Sequence, residues 1–255
     1  MNDLFSLQGR TALVTGGSRG IGRMIAAGFL AHGARVYISS RKAASCEDAV
    51  RELSALGPCF SLPADVSTVA GATALAAAFM AKEPSLDILV NNAGAAWGES
   101  FDTFPEKGWD KVMDLNLKSP FFLTQALHAA LRQGGRQQPA KVINIASIDG
   151  VSVNPMETYS YAASKAGLIH LTKRMALRLV QDNIVVSAIA PGAFASEMNR
   201  DARDHGDEVA KRVPAGRVGT PEDMAGAAIY LASRAGDYVV GETIVVDGGV
   251  THARG

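Results

Sequence analysis

The chain has 255 residues, 47% of them apolar and 20% charged, with 25 basic and 25 acidic side chains and no formal net charge. This is the composition of a soluble globular protein with enough chain for a sizeable core, and the charge balance argues against a nucleic-acid or anionic-membrane partner. The longest near-apolar run, AGATALAAAFMA (70–81), is too short for a bilayer, no secretory pattern opens the chain, and Cys46 and Cys59 stand in no CxxC or Cys/His spacing. The expectation is a cytoplasmic protein with reduced thiols, no bound metal and no membrane contact.

Strand-like runs alternate with helical patterns along the whole chain. RTALVTG (10–16) reads as a first strand and GIGRMIAAGFLAHG (20–33) as a helix closed by Gly33. ARVYISS (34–40), PCFSLPADV (58–66), LDILVNNAG (86–94), AKVINIAS (140–147), NIVVSAIAPG (183–192) and GETIVVDGG (241–249) supply six further strands. Helices are expected over 43–57, 68–83, about 105–132, 159–180 and 221–234. Unbroken strand–helix alternation means βαβ units in a parallel sheet covered on both faces. The expected architecture is one α/β domain over 1–255, a Rossmann-type doubly wound sheet of seven parallel strands. The charge-rich stretch 193–217 is expected to form a flap.

The first strand–helix junction reads Thr15-Gly16-Gly17-Ser18-Arg19-Gly20-Ile21-Gly22. Glycines there let the backbone approach a pyrophosphate, and the free N–H groups of the helix start hold it. The spacing is GxxxGxG. The second strand ends in Ser39-Ser40-Arg41-Lys42, without the carboxylate that would bind the adenosine ribose hydroxyls of NAD. Arg41 and Arg19 instead offer guanidinium forks for a 2′-phosphate, which points to NADP(H). Asp65-Val66 ends the third strand and suits the adenine edge. Asn92-Ala93-Gly94 ends the fourth, at the carboxyl edge of the sheet where ligands of open α/β folds sit.

In the helix from 159, Tyr161 and Lys165 are four residues apart and share a face. A cation beside a phenol is expected to lower its pKa, making the hydroxyl a usable proton donor near neutrality.

These motifs, with Asn116 in DLNL, Ser147 in VINIAS, YAASK (161–165), PG (191–192) and VDGG (246–249), occur in an order that resembles the short-chain dehydrogenase/reductase family over essentially the whole chain. Within it the chain is similar to bacterial 3-oxoacyl-[acyl-carrier-protein] reductases. The resemblance implies a catalytic set of Asn116, Ser147, Tyr161 and Lys165. Tyr161 protonates a carbonyl oxygen, Ser147 hydrogen-bonds the same oxygen, Lys165 holds the nicotinamide ribose, and Asn116 bends its helix and anchors a proton-relay water. Residues after Pro191-Gly192, including Phe194 and Ser196, reach the nicotinamide amide. Trp97, Ile148, Val151, Met156 and Phe194 are expected to wall the substrate side. The implied activity is NADPH-dependent reduction of a ketone, a 3-oxoacyl thioester above all; other ketones and a non-catalytic NADP-binding role are the rivals. A homotetramer is the family expectation. Two features depart from the pattern. The Ser147–Tyr161 separation is one residue longer than in most members, and Asp182 stands where an arginine docks the acidic carrier protein.

Overall fold

The structure, a computed structural model, describes residues 3–253. Seven parallel strands form one sheet in the order β3-β2-β1-β4-β5-β6-β7. They are β1 (Thr11–Thr15), β2 (Arg35–Ser39), β3 (Cys59–Ser61), β4 (Ile88–Asn91), β5 (Ala140–Ile145), β6 (Ile184–Pro191) and β7 (Thr243–Val246). β3 is shorter than its sequence run, although Leu62 and Ala64 beyond it still donate to the carbonyls of Ile38 and Ser40.

Strand side chains alternate between two cores. Ala12, Val14, Val36, Ile38, Ile88, Val90, Ile143 and Ile189 pack on one face beneath α1 (Gly20–Ala31), α2 (Ala43–Leu53) and, far along the chain, α10 (Pro221–Ala232). Leu13, Tyr37, Leu89, Val142 and Val186 pack on the other, beneath α3 (Val69–Met80), α5 (Ser119–Ala126) and α7 (Tyr159–Leu179). A strand buried on both faces is the reason these runs are apolar at every position. Gly28 lets α1 cross α10 closely; a Cβ there would lie 2.6 Å from that of Ala225.

The single helix expected over 105–132 is four pieces. α4 (Glu106–Met113) runs into a π-helical turn, Asp114–Lys118, then α5 and α6 (His128–Gly134). Pro120 supplies no N–H to the carbonyl of Asn116, and the α-helical ladder gives way at that point. The stretch 193–217 carries two short helices, α8 (Arg200–Asp204) and α9 (Gly206–Ala210), and is tied back to the body where Phe194 bridges to Gly219.

A buried polar ladder crosses the sheet. The Asn91 amide donates to Thr124 Oγ1 of α5 (3.2 Å) and to Asn144 Oδ1 of β5 (2.9 Å), and the Asn144 amide donates to Thr172 Oγ1 of α7 (2.9 Å). All four side chains are buried. At the opposite, amino edge of the strands, Lys141 is 1% exposed and lies 2.7 Å from Asp237, while Arg10 donates to the carbonyls of Asp87 and Pro139.

Among the described residues no helix is long and apolar enough to cross a membrane, and no group of three or more His, Cys, Asp or Glu side chains is placed to hold a metal. Asn144→Ala removes one of the two hydrogen bonds of the Asn91 amide and the bond that the Thr172 hydroxyl accepts, and leaves a cavity between them; urea denaturation is expected to show a loss of about 2–3 kcal/mol.

Candidate active site

Parallel pairing brings the carboxyl ends of all seven strands to one edge, and the sheet order reverses direction between β1 and β4. The glycine turn lies on this crevice, where open α/β sheets bind their ligands. Gly16 and Gly20 have φ of +65° and +53°, which side chains rarely adopt. A Cβ on Gly22 would sit 2.4 Å from the Gly16 carbonyl oxygen and 2.4 Å from Asn92 Nδ2. The turn is thus a cradle built for bare backbone, as a pyrophosphate requires.

Thr15, which sequence reasoning passed over, organises the cradle. Its hydroxyl accepts the N–H groups of Asn92 and Ala93, both at 3.0 Å, and donates to the Val90 carbonyl. The Asn92 amide in turn donates to the carbonyls of Thr15 (2.8 Å) and Gly16 (3.2 Å). The Asn92 side chain therefore shapes the turn from behind, which narrows its expected contact with a cofactor to the backbone.

Arg19 caps the start of α1, and both Arg19 and Arg41 are exposed. Asp65 lies within the field of Arg41. Burial pushes the Asp65 carboxyl up, but two hydrogen bonds from Ser67 and the Arg41 charge outweigh it and hold the group below the ordinary carboxylate range. The Ser40 hydroxyl packs 3.0 Å from Cys46 Sγ. Ser18 and Ile21 lie in the turn and half-bury their side chains, while Val66 is in the core. On the other side of the crevice Pro191 pairs with Val246, and Gly192 donates to the Val246 carbonyl (2.9 Å). Ser196 closes over the glycine turn, its Cβ 3.2 Å from where one would stand on Gly20.

The four expected catalytic residues meet at the ends of β4 and β5. Asn116 sits in the π-helical turn, 1% exposed. Its Oδ1 accepts from Ala95 N (2.8 Å), and its amide donates to the Ala95 carbonyl (2.9 Å) and to Ser164 Oγ (3.0 Å). Ser164 donates to the Tyr161 carbonyl (2.7 Å). A π-helical turn interrupts the helix at Asn116, and Ser164 is a further member of the network. Lys165 is 5% exposed; its Nζ donates to the Ile145 carbonyl (2.7 Å) and lies 5.6 Å from the Tyr161 ring centre. Ser147 Oγ accepts from Asp149 N (3.2 Å), which leaves its own proton free for a second partner.

The electrostatics correct one expectation. Burial pushes the Tyr161 phenol up to about 12; the neighbouring Ser147 hydroxyl pulls it back in part, and Asp149 adds to the rise. Burial pulls the Lys165 ammonium down to about 8 against the pull of Asp149. Lys165 does not depress the Tyr161 pKa in this geometry. Desolvation acts on both groups, and the ammonium is directed at a backbone carbonyl rather than at the phenol oxygen. Tyr161 is instead an acid that keeps its proton across neutral pH.

The expected substrate wall is also rearranged. Phe194 is 2% exposed, its ring packed on Gly219 and the core, so only its backbone is left to face the crevice. Trp97 lies on α4, its ring where a Cβ on Gly108 would fall (2.8 Å), with Lys111 Nζ 5.3 Å from its centre. Val151 and Met156 are 43% and 64% exposed, and Ile148 is half-buried. A second aromatic group stands beside them. Tyr159 meets Phe101 and Phe104 edge-on at 5.6 and 5.7 Å. Its hydroxyl donates to Glu157 (3.0 Å), which also accepts from Phe101 N (3.2 Å). The loops after β4 and β5 are latched together by that carboxylate.

A family profile described as enoyl-(acyl carrier protein) reductase matches residues 16–251. The rhamnolipids biosynthesis 3-oxoacyl-[acyl-carrier-protein] reductase of Pseudomonas aeruginosa is 47% identical over 253 residues, covering 98% of this chain and 99% of that one. A 2-dehydro-3-deoxy-D-gluconate 5-dehydrogenase of Dickeya dadantii is 40% identical over 250 residues, covering 96% of each. Among solved structures, the Pseudomonas aeruginosa RhlG/NADP active-site complex superposes with a TM-score of 0.95 at 47% identity, over 98% of this chain and 100% of that one.

Gly22→Ala drives a Cβ into the Gly16 carbonyl. The turn must shift, and a thermal or urea melt is expected to show a loss of about 1–3 kcal/mol.

Proposed function

Because this chain belongs to the short-chain dehydrogenase/reductase family, we propose that it reduces a ketone to a secondary alcohol with NADPH, and that the ketone is a 3-oxoacyl thioester. The observation that carries the reading is the convergence of Ser147, Tyr161 and Lys165 at the end of β5, facing a cradle of bare backbone.

The residues present fit NADP(H). Gly16, Ser18, Gly20, Ile21 and Gly22 offer backbone to the pyrophosphate at the start of α1, whose positive end favours the phosphate charge. Ser40, Arg41 and Arg19 border the position of the 2′-phosphate, and no carboxylate ends β2 to repel it. Asp65 and Val66 take the adenine side. Ala93, Gly94, Pro191, Gly192, Phe194 and Ser196 border the nicotinamide end, the last through backbone and hydroxyl groups. When bound, the cofactor supplies the hydride.

The protein's own part is proton management. The buried phenol of Tyr161 arrives protonated and hands its proton to the carbonyl oxygen as that oxygen gains charge. The Ser147 Oγ lone pair is occupied by Asp149 N–H, so its hydroxyl hydrogen is directed outward, to the same oxygen or to Tyr161. Lys165, buried and anchored on Ile145, lies over the ring that becomes a phenolate. Asn116 fixes the relative position of the β4 loop and α7, and its backbone carbonyl, to which Pro120 cannot donate, is where a relay water would bind.

The thioester is favoured by the relative that is 47% identical and by the apolar rim of Val151, Met156, Phe101 and Tyr159. Delivery by an acidic carrier protein is not favoured. Asp182 is surrounded by Arg178 (2.7 Å), His128 (3.0 Å) and Arg132 (3.4 Å), so the two arginines neutralise a carboxylate of the chain itself. A sugar-acid ketone is the second reading, favoured by the 40% identical gluconate relative. We propose cytoplasmic location and a tetramer on family grounds.

NADPH oxidation against 3-oxoacyl-coenzyme A, 3-oxoacyl-carrier and keto-gluconate substrates decides the reading. The thioesters are expected to be turned over fastest, without advantage for the carrier form; keto-gluconate as the preferred substrate transfers the protein to the second reading. Tyr161→Phe is expected to lower kcat by at least about a hundredfold while leaving NADPH affinity within a few-fold. Arg41→Asp is expected to weaken NADPH binding by about tenfold or more, and NADH binding far less, in fluorescence titration. Equal losses would remove Arg41 from the 2′-phosphate site.

A further inference from the structure

The flap over 193–217 leaves the sheet after Pro191-Gly192 and returns to it over 213–219, and both of its roots meet one short segment, 247–251, which follows β7. At the first root Pro191 pairs with Val246, and Gly192 N donates to the Val246 carbonyl (2.9 Å). A Cβ on Gly192 would lie 2.7 Å from that of Asp247. At the second root Ala215 N donates to the Gly248 carbonyl (3.0 Å). A Cβ on Gly248 would lie 2.6 Å from Val213 Cγ1, and one on Gly249 3.3 Å from Pro214 Cβ. The roots are also joined to each other, where Gly219 N donates to the Ala193 carbonyl (2.8 Å) and the Phe194 ring packs on Gly219. The Phe194 contact closes the flap on itself, and the turn after β7 seats it on the sheet.

One side chain gives that turn its shape. Gly248 and Gly249 have φ of +65° and +93°, two consecutive left-handed positions of a kind glycine adopts readily but does not enforce. Asp247 enforces them. Its Oδ1 accepts from Gly249 N (2.8 Å), and its Oδ2 accepts from Thr251 N and from Thr251 Oγ1, both at 2.7 Å. Hydrogen bonds to a carboxylate are stronger than those between neutral groups.

We infer that Asp247 is a positioning residue for the cofactor site: its carboxylate shapes the turn on which both roots of the flap rest, and so holds the flap over the glycine turn that receives NADPH. The inference rests on the placement of Phe194 and Ser196 beside the cofactor for its effect on NADPH, though not for its effect on the flap.

The flap needs such a seat. Its helices α8 and α9 have five residues each, too few to be stable by themselves. The ion pairs of Arg203 with Glu197 and Asp204 lie within the flap and do not tie it to the body. Arg217 reaches Asp223 of α10, which fixes the chain only beyond the second root. From the seat, contacts run on to the crevice. Asn199 Oδ1 accepts from Ala202 N at the start of α8 (3.1 Å), and Asn199 N donates to Ser196 Oγ (3.0 Å). Ser196 Cβ in turn lies 3.2 Å from where a Cβ would stand on Gly20. Movement of the roots therefore carries Ser196 away from the glycine turn.

Asp247→Ala removes all three acceptors and releases two adjacent glycines. In the protein without cofactor, trypsin is expected to cut at the exposed Arg200, Lys211 and Arg212 at least about fivefold faster than in the wild type, read by mass spectrometry. The NADPH dissociation constant from fluorescence titration is expected to rise about tenfold, with kcat at saturating NADPH and ketone within about twofold of the wild type. Asp247→Asn keeps an acceptor for Gly249 N and is expected to fall between the two. Gly248→Ala reaches the same seat by another route, since its Cβ meets Val213, and is expected to reproduce the faster cleavage and the weaker NADPH binding. Circular dichroism establishes that each variant is folded; if Asp247→Ala is not, the Asn and Gly248→Ala proteins carry the test. Cleavage of the folded variants at the wild-type rate overturns the inference. Faster cleavage with unaltered NADPH affinity also overturns it, and locates the failure in the placement of Phe194 and Ser196 rather than in the hold of Asp247 on the flap.

Discussion

The active site depends on how the Asn116 side chain is spent. Three hydrogen bonds join the β4 loop at Ala95, the π-helical turn and α7 at Ser164, and Ser164 passes the connection to the Tyr161 carbonyl. An amide buried to 1% exposure with all these partners satisfied is favourable, and any relative movement of the two segments would leave polar atoms unpaired. The distance from the sheet edge to the catalytic helix is therefore held by hydrogen bonds with little slack. The π-helical turn belongs to the same device. Pro120 withholds a donor, the helix adjusts by one residue, and the adjustment turns Asn116 inward.

Desolvation then governs the chemistry. Tyr161 and Lys165 share a face of α7, as their spacing requires, yet sharing a face does not bring the ammonium to the phenol oxygen. Lys165 is directed to the Ile145 carbonyl, and burial moves the two groups in opposite directions, the phenol up and the ammonium down. The result is an acid that keeps its proton until the carbonyl oxygen needs it, and a lysine whose charge is sensitive to its surroundings.

The two edges of the sheet divide the work. At the carboxyl edge, glycines, short polar side chains and open backbone leave room for a ligand. At the amino edge Arg10, Asp87, Lys141 and Asp237 close the strands with paired charges, and Lys141 is one of the largest buried side chains. Between them the Asn91–Asn144–Thr172 ladder ties β4 and β5 to α7 and α5. A half-satisfied ladder would be worse than an apolar one, and this one fixes the register in which Ile145 and Ser147 emerge beside Lys165.

The amino-acid sequence alone determined the seven strands and the two-faced burial, because periodicity and glycine turns are local properties read from neighbouring residues. It also determined which residues gather at the cofactor end, since parallel βαβ connections deliver every strand's carboxyl end to one edge. Tertiary packing decided the rest. It turned Phe194 into the core and placed Trp97 on Gly108. It also exposed Thr15, Ser164 and Asp149 as parts of the site. Each of these depends on contacts between segments far apart in the chain, and so does burial, the quantity that sets the pKa of Tyr161. A helical spacing can place a phenol and an ammonium on one face; only the folded chain decides how much water and which charges lie between them.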